Sequence, residues 1–114
     1  MARRPRCYIA GPLTGPAQNA NIHLAIKAAA RLRRAGFAPI VPHLMVLWEI
    51  VEPDGVSYED WMDLCLTYLE TADVLLRLPG DSPGADREVA YAKGLNIGVF
   101  YDEVALIKAY RGGL

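Results

Sequence analysis

The chain has few cysteines and no long apolar run, and each of these features argues against certain classes of protein. Cys7 and Cys65 are its two cysteines, too far apart in the sequence for the paired spacing of a metal clip. Two lone thiols are typical of a reducing cytoplasm. No apolar run approaches the roughly 18 residues of a membrane-spanning helix, and no apolar segment of a secretion signal follows the N-terminal charges. We therefore predict a cytoplasmic protein without a metal, a cofactor or a membrane contact.

The chain also lacks a surplus of basic residues. It has 12 Lys and Arg against 13 Asp and Glu, a net charge of −1 at pH 7, whereas a nucleic-acid binder presents a basic surface. Arg3, Arg4 and Arg6 form a small basic cluster, which we interpret as a solvated tail. The charge balance argues against a nucleic-acid polymer as a partner.

The remaining composition is that of a globular protein. The 114 residues are 53% hydrophobic and 22% charged. A chain of this length buries roughly two thirds of its unfolded surface in one core. We predict a single domain that covers residues 1–114.

Short apolar runs alternate with helical patterns along the chain. The runs at 7–10, 37–41, 74–78 and 97–100 are predicted strands, and helices of ordinary length separate them. This alternation indicates an α/β fold, with a four-stranded, mostly parallel sheet that helices cover on both faces.

Two of the predicted helices have apolar residues at helical spacing. The first begins at the cap Asn21 and ends at Gly36. Its expected inward face is Ile22, Ala25, Ile26, Ala29 and Leu32. The second follows a capping box that starts at Ser57, and Asp63 lies on its outer side. Its expected inward face is Trp61, Leu64, Cys65, Tyr68 and Leu69. A last short helix is expected after Asp102.

The segment 78–88 joins the third strand to another helix. Ser82 and Pro83 are the preferred residue types for an N-cap and a first helical position, and we expect Gly94 to close this helix. Glu88 then lies within about two turns of a helix N-terminus, where the dipole favours an ionised carboxylate. We predict that this carboxylate is a nucleophile.

Two further loops follow strands. The segment 11–16 is neither a dinucleotide fingerprint nor a Walker A loop, but it offers backbone amides and the Thr14 hydroxyl. His43 follows the second strand, either as a hydrogen bonder within the loop or as a contact to a ligand. The apolar segment 44–56 fits four alternatives: a lid, a pocket wall, a subunit contact, or packing on its own core.

In parallel sheets, ligands bind beyond the carboxyl ends of the strands, where the strand order reverses. If the first strand is central, the loops after the first three strands meet at this edge. The topology then places the following candidate site residues in one cleft: Tyr8, Gly11, Pro12, Thr14, His43, Ser82, Gly84 and Glu88.

Several segments together resemble a known superfamily. These are the run Tyr-Ile-Ala-Gly-Pro-Leu-Thr-Gly at 8–15, the helix start Ser-Tyr-Glu-Asp-Trp-Met at 57–62 and the strand region 72–80. They are similar to the small nucleoside 2-deoxyribosyltransferase-like proteins, many of them known only as a domain of unknown function. The spacing of Ser82, Gly84 and Glu88 resembles that of the related 2′-deoxynucleoside 5′-phosphate N-hydrolases. The resemblance covers nearly the whole chain.

The resemblance implies a flavodoxin-like or Rossmann-like three-layer fold and an oligomer, a homodimer or larger. It also implies cleavage or exchange of an N-glycosidic bond in a nucleoside or nucleotide. Glu88 matches the position of the family nucleophile, and Tyr8 matches the tyrosine that contacts it. Gly11 and Ser82 match positions that hold the sugar or its 5′-phosphate. Cys65 departs from the pattern, because the family usually has an aspartate there that assists the base.

The residues fit this chemistry, with alternatives. A carboxylate stabilises an oxocarbenium-like state and forms a glycosyl ester, and Arg77 or Arg87 would favour its ionised form. Ser82 and the amides of Gly11 and Gly84 offer a place for a phosphate. A non-catalytic nucleotide-binding or sensing module is the first alternative, because Cys65 replaces a carboxylate. An interaction domain that pairs through 44–56 is the second.

Overall fold

The protein folds around a four-stranded parallel sheet. The computed structural model describes residues 3–112. Its strands are β1 (Arg6–Ala10), β2 (Ala38–Ile40), β3 (Val74–Arg77) and β4 (Gly98–Phe100). They lie in the order β2-β1-β3-β4, and every adjacent pair is parallel.

Helices connect the strands. They are α1 (Gln18–Arg34), α2 (Met45–Val51), α3 (Tyr58–Leu69), α4 (Pro83–Gly94) and α5 (Glu103–Gly112), and a 3₁₀ turn at Pro42–Leu44 precedes α2. None of the helices in the described part of the chain is long and apolar enough to cross a membrane.

The sheet separates two apolar cores. Side chains of Cys7 and Ile9 on β1 pack with α1 and α5, whereas Tyr8 and Ala10 pack with α3 and α4. All four are buried, as expected for a central parallel strand whose successive residues point to opposite faces. The predicted three-layer α/β architecture is therefore confirmed. Truncating a side chain in this core, such as Leu75→Ala, is expected to cost about 2–5 kcal/mol.

The inward face of α1 differs from the prediction. The helix begins at Gln18, three residues before the predicted cap Asn21. Ile26 is exposed, and Ile22 is only half-buried. The buried face is Ala25, Ala28, Ala29 and Leu32. These four positions form one stripe at helical spacing, and Ile26 lies about 100° from Ala25 around the helix. Gly36 follows the helix with a φ of +103°, as its predicted end requires.

The inward face of α3 is also rotated from the predicted one. Met62 and Leu69 are buried, whereas Tyr68 is 41% exposed. Trp61 turns towards α2, where its ring meets the ring of Trp48 edge-on with centroids 5.3 Å apart. This tertiary contact explains why the predicted stripe is wrong at Trp61.

The predicted starts of α3 and α5 are confirmed, and so is the predicted end of α4. Oγ of Ser57 accepts a hydrogen bond from the Asp60 N–H at 3.1 Å, and Oδ1 of Asp102 caps the start of α5. Gly94 is the last residue of α4, as predicted, and Asn96 takes the left-handed conformation after it with a φ of 60°. Asparagine adopts this region more readily than most residues.

The strand order determines where a ligand can bind. The chain moves from β1 outwards to β2 and then returns to the other side of β1 to form β3. The order therefore reverses between β1 and β3, which confirms the central position assumed for the first strand. The carboxyl ends of these two strands face a common cleft.

Candidate functional site

A cavity of about 490 Å³ lies at the carboxyl edge of the sheet. The loop after β1, the turn at Pro42–Leu44, α2, α3 and the start of α4 form its walls. Seven of the predicted site residues line it: Gly11, Pro12, Thr14, His43, Ser82, Gly84 and Glu88. Tyr8 is fully buried and lies outside the lining.

Glu88 is the buried charged residue of this cavity. It lies in the second turn of α4 and is only 7% exposed. The hydroxyl of Tyr8, which projects from β1, donates a hydrogen bond to Oε2 of Glu88. Tyr8 thus supports the carboxylate from the side of the sheet, and Glu88 itself faces the cavity.

Burial dominates the ionisation of Glu88. It raises the pKa of Glu88 to about 7, whereas the Tyr8 hydrogen bond and the charge of Arg77 act to lower this pKa. Arg87, the other predicted supporter, instead pairs with Glu59 at 2.8 Å. A carboxyl group with a pKa near 7 is present in both its protonated and its ionised form at neutral pH, as groups at functional sites often are.

Cys65 lies on the cavity wall beside this pair. It is half-buried on α3, and its thiol lies next to the hydroxyl of Tyr8. Burial raises the pKa of the Cys65 thiol, so that the thiol is neutral at neutral pH. Asp63 is exposed on the outer side of the helix, as predicted. The described cavity wall therefore has no carboxylate from α3.

The loop after β1 and the loop after β3 pack closely against each other. A Cβ on Gly11 would lie 3.0 Å from Cβ of Leu78. Gly80 has a φ of +114°, and a Cβ there would lie 2.8 Å from Cγ of Pro12. Only glycine fits at position 80, because the backbone is left-handed and the space is filled.

His43 fixes the loop after β1. It is 3% exposed, and its Nε2 lies 3.2 Å from the carbonyl oxygen of Pro12, to which a protonated Nε2 donates. Burial lowers the pKa of His43, so the ring is neutral at pH 7. Among the described residues, Nδ1 is buried without a hydrogen-bond partner. The ring of His43 therefore holds the loop after β1 by a hydrogen bond and also lines the cavity.

The start of α4 forms one side of the cavity. Oγ of Ser82 accepts a hydrogen bond from the Ala85 N–H at 3.0 Å, and Pro83 occupies the first helical position. Gly84 lies under α3, where an added Cβ would come within 3.1 Å of the Tyr58 hydroxyl. The sequence predicted this N-cap correctly, and the cap places Glu88 in the second turn.

The residues of the cavity wall opposite α4 had no predicted role. Met45, Val46 and Glu49 of α2 line the cavity, as does Trp61. The indole N–H of Trp61 donates to Oε1 of Glu49 at 3.0 Å. Of the four alternatives for the segment 44–56, a pocket wall describes this inner side of α2. The outer side exposes apolar side chains, namely Leu47, Ile50 and Val51.

The fold and the cleft define an α/β protein with a cavity at the switch point of a parallel sheet. Residues 5–101 match the sequence profile of a domain of unknown function, DUF4406. The chain belongs to this family. No curated protein matches the sequence.

Solved structures of two enzymes share the fold. One is a 2-deoxyribosyltransferase from Bacillus psychrosaccharolyticus, with a TM-score of 0.61 and 20% identity over 82% of this chain and 69% of that enzyme. The other is a 2-deoxyribosyltransferase from Leishmania mexicana, with a TM-score of 0.61 and 16% identity over 84% of this chain and 62% of that enzyme. At these identities the likeness concerns the fold, and it confirms the predicted flavodoxin-like architecture.

Proposed function

We propose that the protein cleaves the N-glycosidic bond of a nucleoside or a nucleoside 5′-monophosphate, with Glu88 as the nucleophile. The observation that carries this proposal is the buried Glu88 carboxyl group, which accepts a hydrogen bond from Tyr8 and lines a cavity of about 490 Å³. Cavities of this size hold a small molecule. The fold shared with two 2-deoxyribosyltransferases is consistent with this chemistry.

The proposed reaction has two steps. The ionised carboxylate of Glu88 attacks C1′ of the sugar, and the bond from C1′ to the base nitrogen breaks with its electron pair leaving on the base. The base takes a proton from solvent, and a glycosyl ester remains on Glu88. Water then attacks C1′, the ester bond from C1′ to Glu88 breaks with its electron pair returning to the carboxylate, and the proton lost by the water goes to solvent; a second base in place of water gives exchange.

The surrounding residues suit these steps. Tyr8 holds the carboxylate in one orientation and stabilises its charge by donating to it. Gly11, Pro12 and Thr14 would contact the sugar from the loop after β1, with His43, Ser82 and Gly84 on the neighbouring walls. Cys65 supplies a neutral thiol where the resemblance led us to expect an aspartate, so base protonation in this proposal does not rely on α3.

The test is the release of free base by the pure protein. Purified wild-type protein is incubated with a panel of nucleosides and their 5′-monophosphates, and free base is quantified by chromatography. We expect release by the wild type and a loss of about a thousandfold or more in Glu88→Gln, since the nucleophile is absent. Glu52→Gln makes the same change on an exposed side chain and should keep full activity. An inert wild type, or an active Glu88→Gln, would contradict the proposal.

A non-catalytic nucleotide-binding module is the second candidate. It is favoured by Cys65, which lines the cavity without a carboxylate. This candidate predicts that a nucleotide raises the melting temperature of both the wild type and Glu88→Gln, with no base released by either.

The predicted homodimer or larger oligomer and the cytoplasmic location stay predictions.

A further inference from the structure

The wall opposite α4 is the side of the cavity towards which a leaving base would point. Glu88 lines the cavity from α4, whereas α2 and Trp61 of α3 line it on the other side. A nucleophile displaces a leaving group from the far side of the reacting carbon. A sugar whose C1′ faces Glu88 therefore directs its base towards α2 and Trp61.

This wall combines apolar side chains with a carboxylate. Met45, Val46 and Trp61 line it, and all three are half-buried. Apolar and aromatic side chains pack against the flat face of a base, and they do so with little regard to which base it is. Discrimination among bases therefore depends on a polar group, and α2 supplies the carboxylate of Glu49.

A hydrogen bond fixes one oxygen of Glu49. The indole N–H of Trp61 donates to Oε1 at 3.0 Å, and the ring of Trp48 meets that indole edge-on. Within residues 3–112, Oε2 of Glu49 accepts no hydrogen bond from the protein, and no Lys or Arg lines the cavity beside it. An ionised carboxylate accepts hydrogen bonds and donates none. Oε2 is therefore an acceptor for a donor group of a ligand on the base side of the cavity.

Resting on the proposed function, we infer that Glu49 selects substrates whose base carries an amino group on the edge remote from the sugar, as cytosine and adenine do. The amino group donates a hydrogen bond to Oε2, in the way that Asp and Glu accept from the amino group of cytosine in DNA. Uracil and hypoxanthine present an oxo group at the same position, and a carboxylate repels this second acceptor. Glu49 is thus a specificity-determining residue, and Trp61 positions it.

The test compares two matched pairs of substrates, 2′-deoxycytidine with 2′-deoxyuridine and 2′-deoxyadenosine with 2′-deoxyinosine. Within each pair an oxo group replaces the amino group, and the sugar is the same. The value of kcat/KM for base release is measured for both members, and the amino-to-oxo ratio is compared between wild type and variants. Differences in the intrinsic lability of the two bonds cancel in this comparison. The 5′-monophosphates are compared in the same pairs.

Glu49→Gln should lower the amino-to-oxo ratio by about tenfold to a hundredfold. A hydrogen bond to a charged group contributes a factor of this size, and an amide can also donate to an oxo group. Glu52→Gln is the matched control, because Glu52 is exposed just after α2 and does not line the cavity, and it should leave the ratio unchanged. An unchanged ratio in Glu49→Gln, or an equal change in both variants, would overturn the inference and leave the proposed glycosidase function standing.

Binding separates the inference from the proposed function. If none of these substrates is cleaved, the proposed function fails, and the melting temperature is measured with 2′-deoxycytidine and 2′-deoxyuridine and with their 5′-monophosphates. A larger rise with the cytosine compounds, lost in Glu49→Gln, supports the selection by Glu49. An equal rise with both bases, or no rise with either, overturns it.

Discussion

The hydroxyl of Tyr8 donates a hydrogen bond to the carboxylate of Glu88 across 80 positions of the sequence. The two residues lie on β1 and α4, and both are buried. A buried phenol requires a partner for its O–H, and a buried carboxylate requires donors. Each side chain therefore satisfies the other, and the pair ties the central strand to the helix that forms the cavity wall.

Removing the Tyr8 hydroxyl should shift the pH dependence of the reaction. Glu88 acts in its ionised form, so kcat/KM for base release should rise with pH through about 7, the value to which burial raises its pKa. The Tyr8 hydrogen bond lowers this pKa, and Tyr8→Phe should move the rise to higher pH by about one unit. A pH–rate profile of both proteins measures the shift. An unchanged profile would show that Tyr8 does not act on Glu88.

Neutralising Glu88 should stabilise the fold at alkaline pH. Folding raises the pKa of Glu88 from 4.5 to about 7, so the folded state binds the extra proton and loses stability as pH rises between these values. Glu88→Gln should therefore be more stable than the wild type by about 1–3 kcal/mol near pH 8, and nearly equal to it near pH 4. Urea denaturation at both pH values tests this. A variant that is less stable at pH 8 would refute the assigned cost of burying this charge.

Arg77 should affect both stability and the state of Glu88. Its guanidinium donates to the carbonyls of Leu78 and Gly80, which Arg77→Met leaves without this donor. We expect a loss of about 1–3 kcal/mol in denaturation, and a rise in the pKa of Glu88 because a nearby positive charge is gone.

A matched pair of controls separates these two effects. Arg77→Lys keeps the charge but loses the planar fork, so its pH–rate profile should stay near that of the wild type while its stability stays low. Arg87→Met removes an exposed arginine and should change both properties little. If Arg77→Lys shifts the profile as far as Arg77→Met does, the effect of Arg77 is structural and not electrostatic.

Gly80 should tolerate no side chain. Its φ of +114° and the 2.8 Å approach of Pro12 to the place of a Cβ predict that Gly80→Ala strains the loop. We expect a lower melting temperature and a free energy of unfolding that is reduced by about 1–3 kcal/mol. Gly15→Ala is the control, since it has a similar positive φ but nothing within 4 Å. Equal losses in the two variants would mean that the contact with Pro12 contributes nothing.

The sequence predicted the parts of the fold that depend on local chemistry. Ser57 and Ser82 cap helices where the residue types suggested, and the alternation of strands and helices gave the parallel sheet. The cleft followed from the topology, because parallel strands bring the ends of β1 and β3 together. These features depend on rules that act within a few residues or on the order of elements alone.

The sequence did not predict the features that depend on tertiary contacts. The position of Trp61 on α3 was misassigned because its ring packs against Trp48, a residue of another helix. α2 has seven residues, too few for a repeated apolar period, so its role as a cavity wall was left open. Glu49, which lines the cavity from this short helix and accepts a hydrogen bond from Trp61, was not assigned for the same reason.

The central claim, that Glu88 attacks C1′, is tested most directly by trapping the glycosyl ester. A 2′-deoxy-2′-fluoro-arabinonucleoside slows the breakdown of such esters, because the fluorine destabilises the oxocarbenium-like state. After incubation with this probe, mass spectrometry of the digested protein should show the fluorinated sugar, without its base, on the peptide that contains Glu88. Base release without any adduct, or an adduct on another residue, would contradict the account.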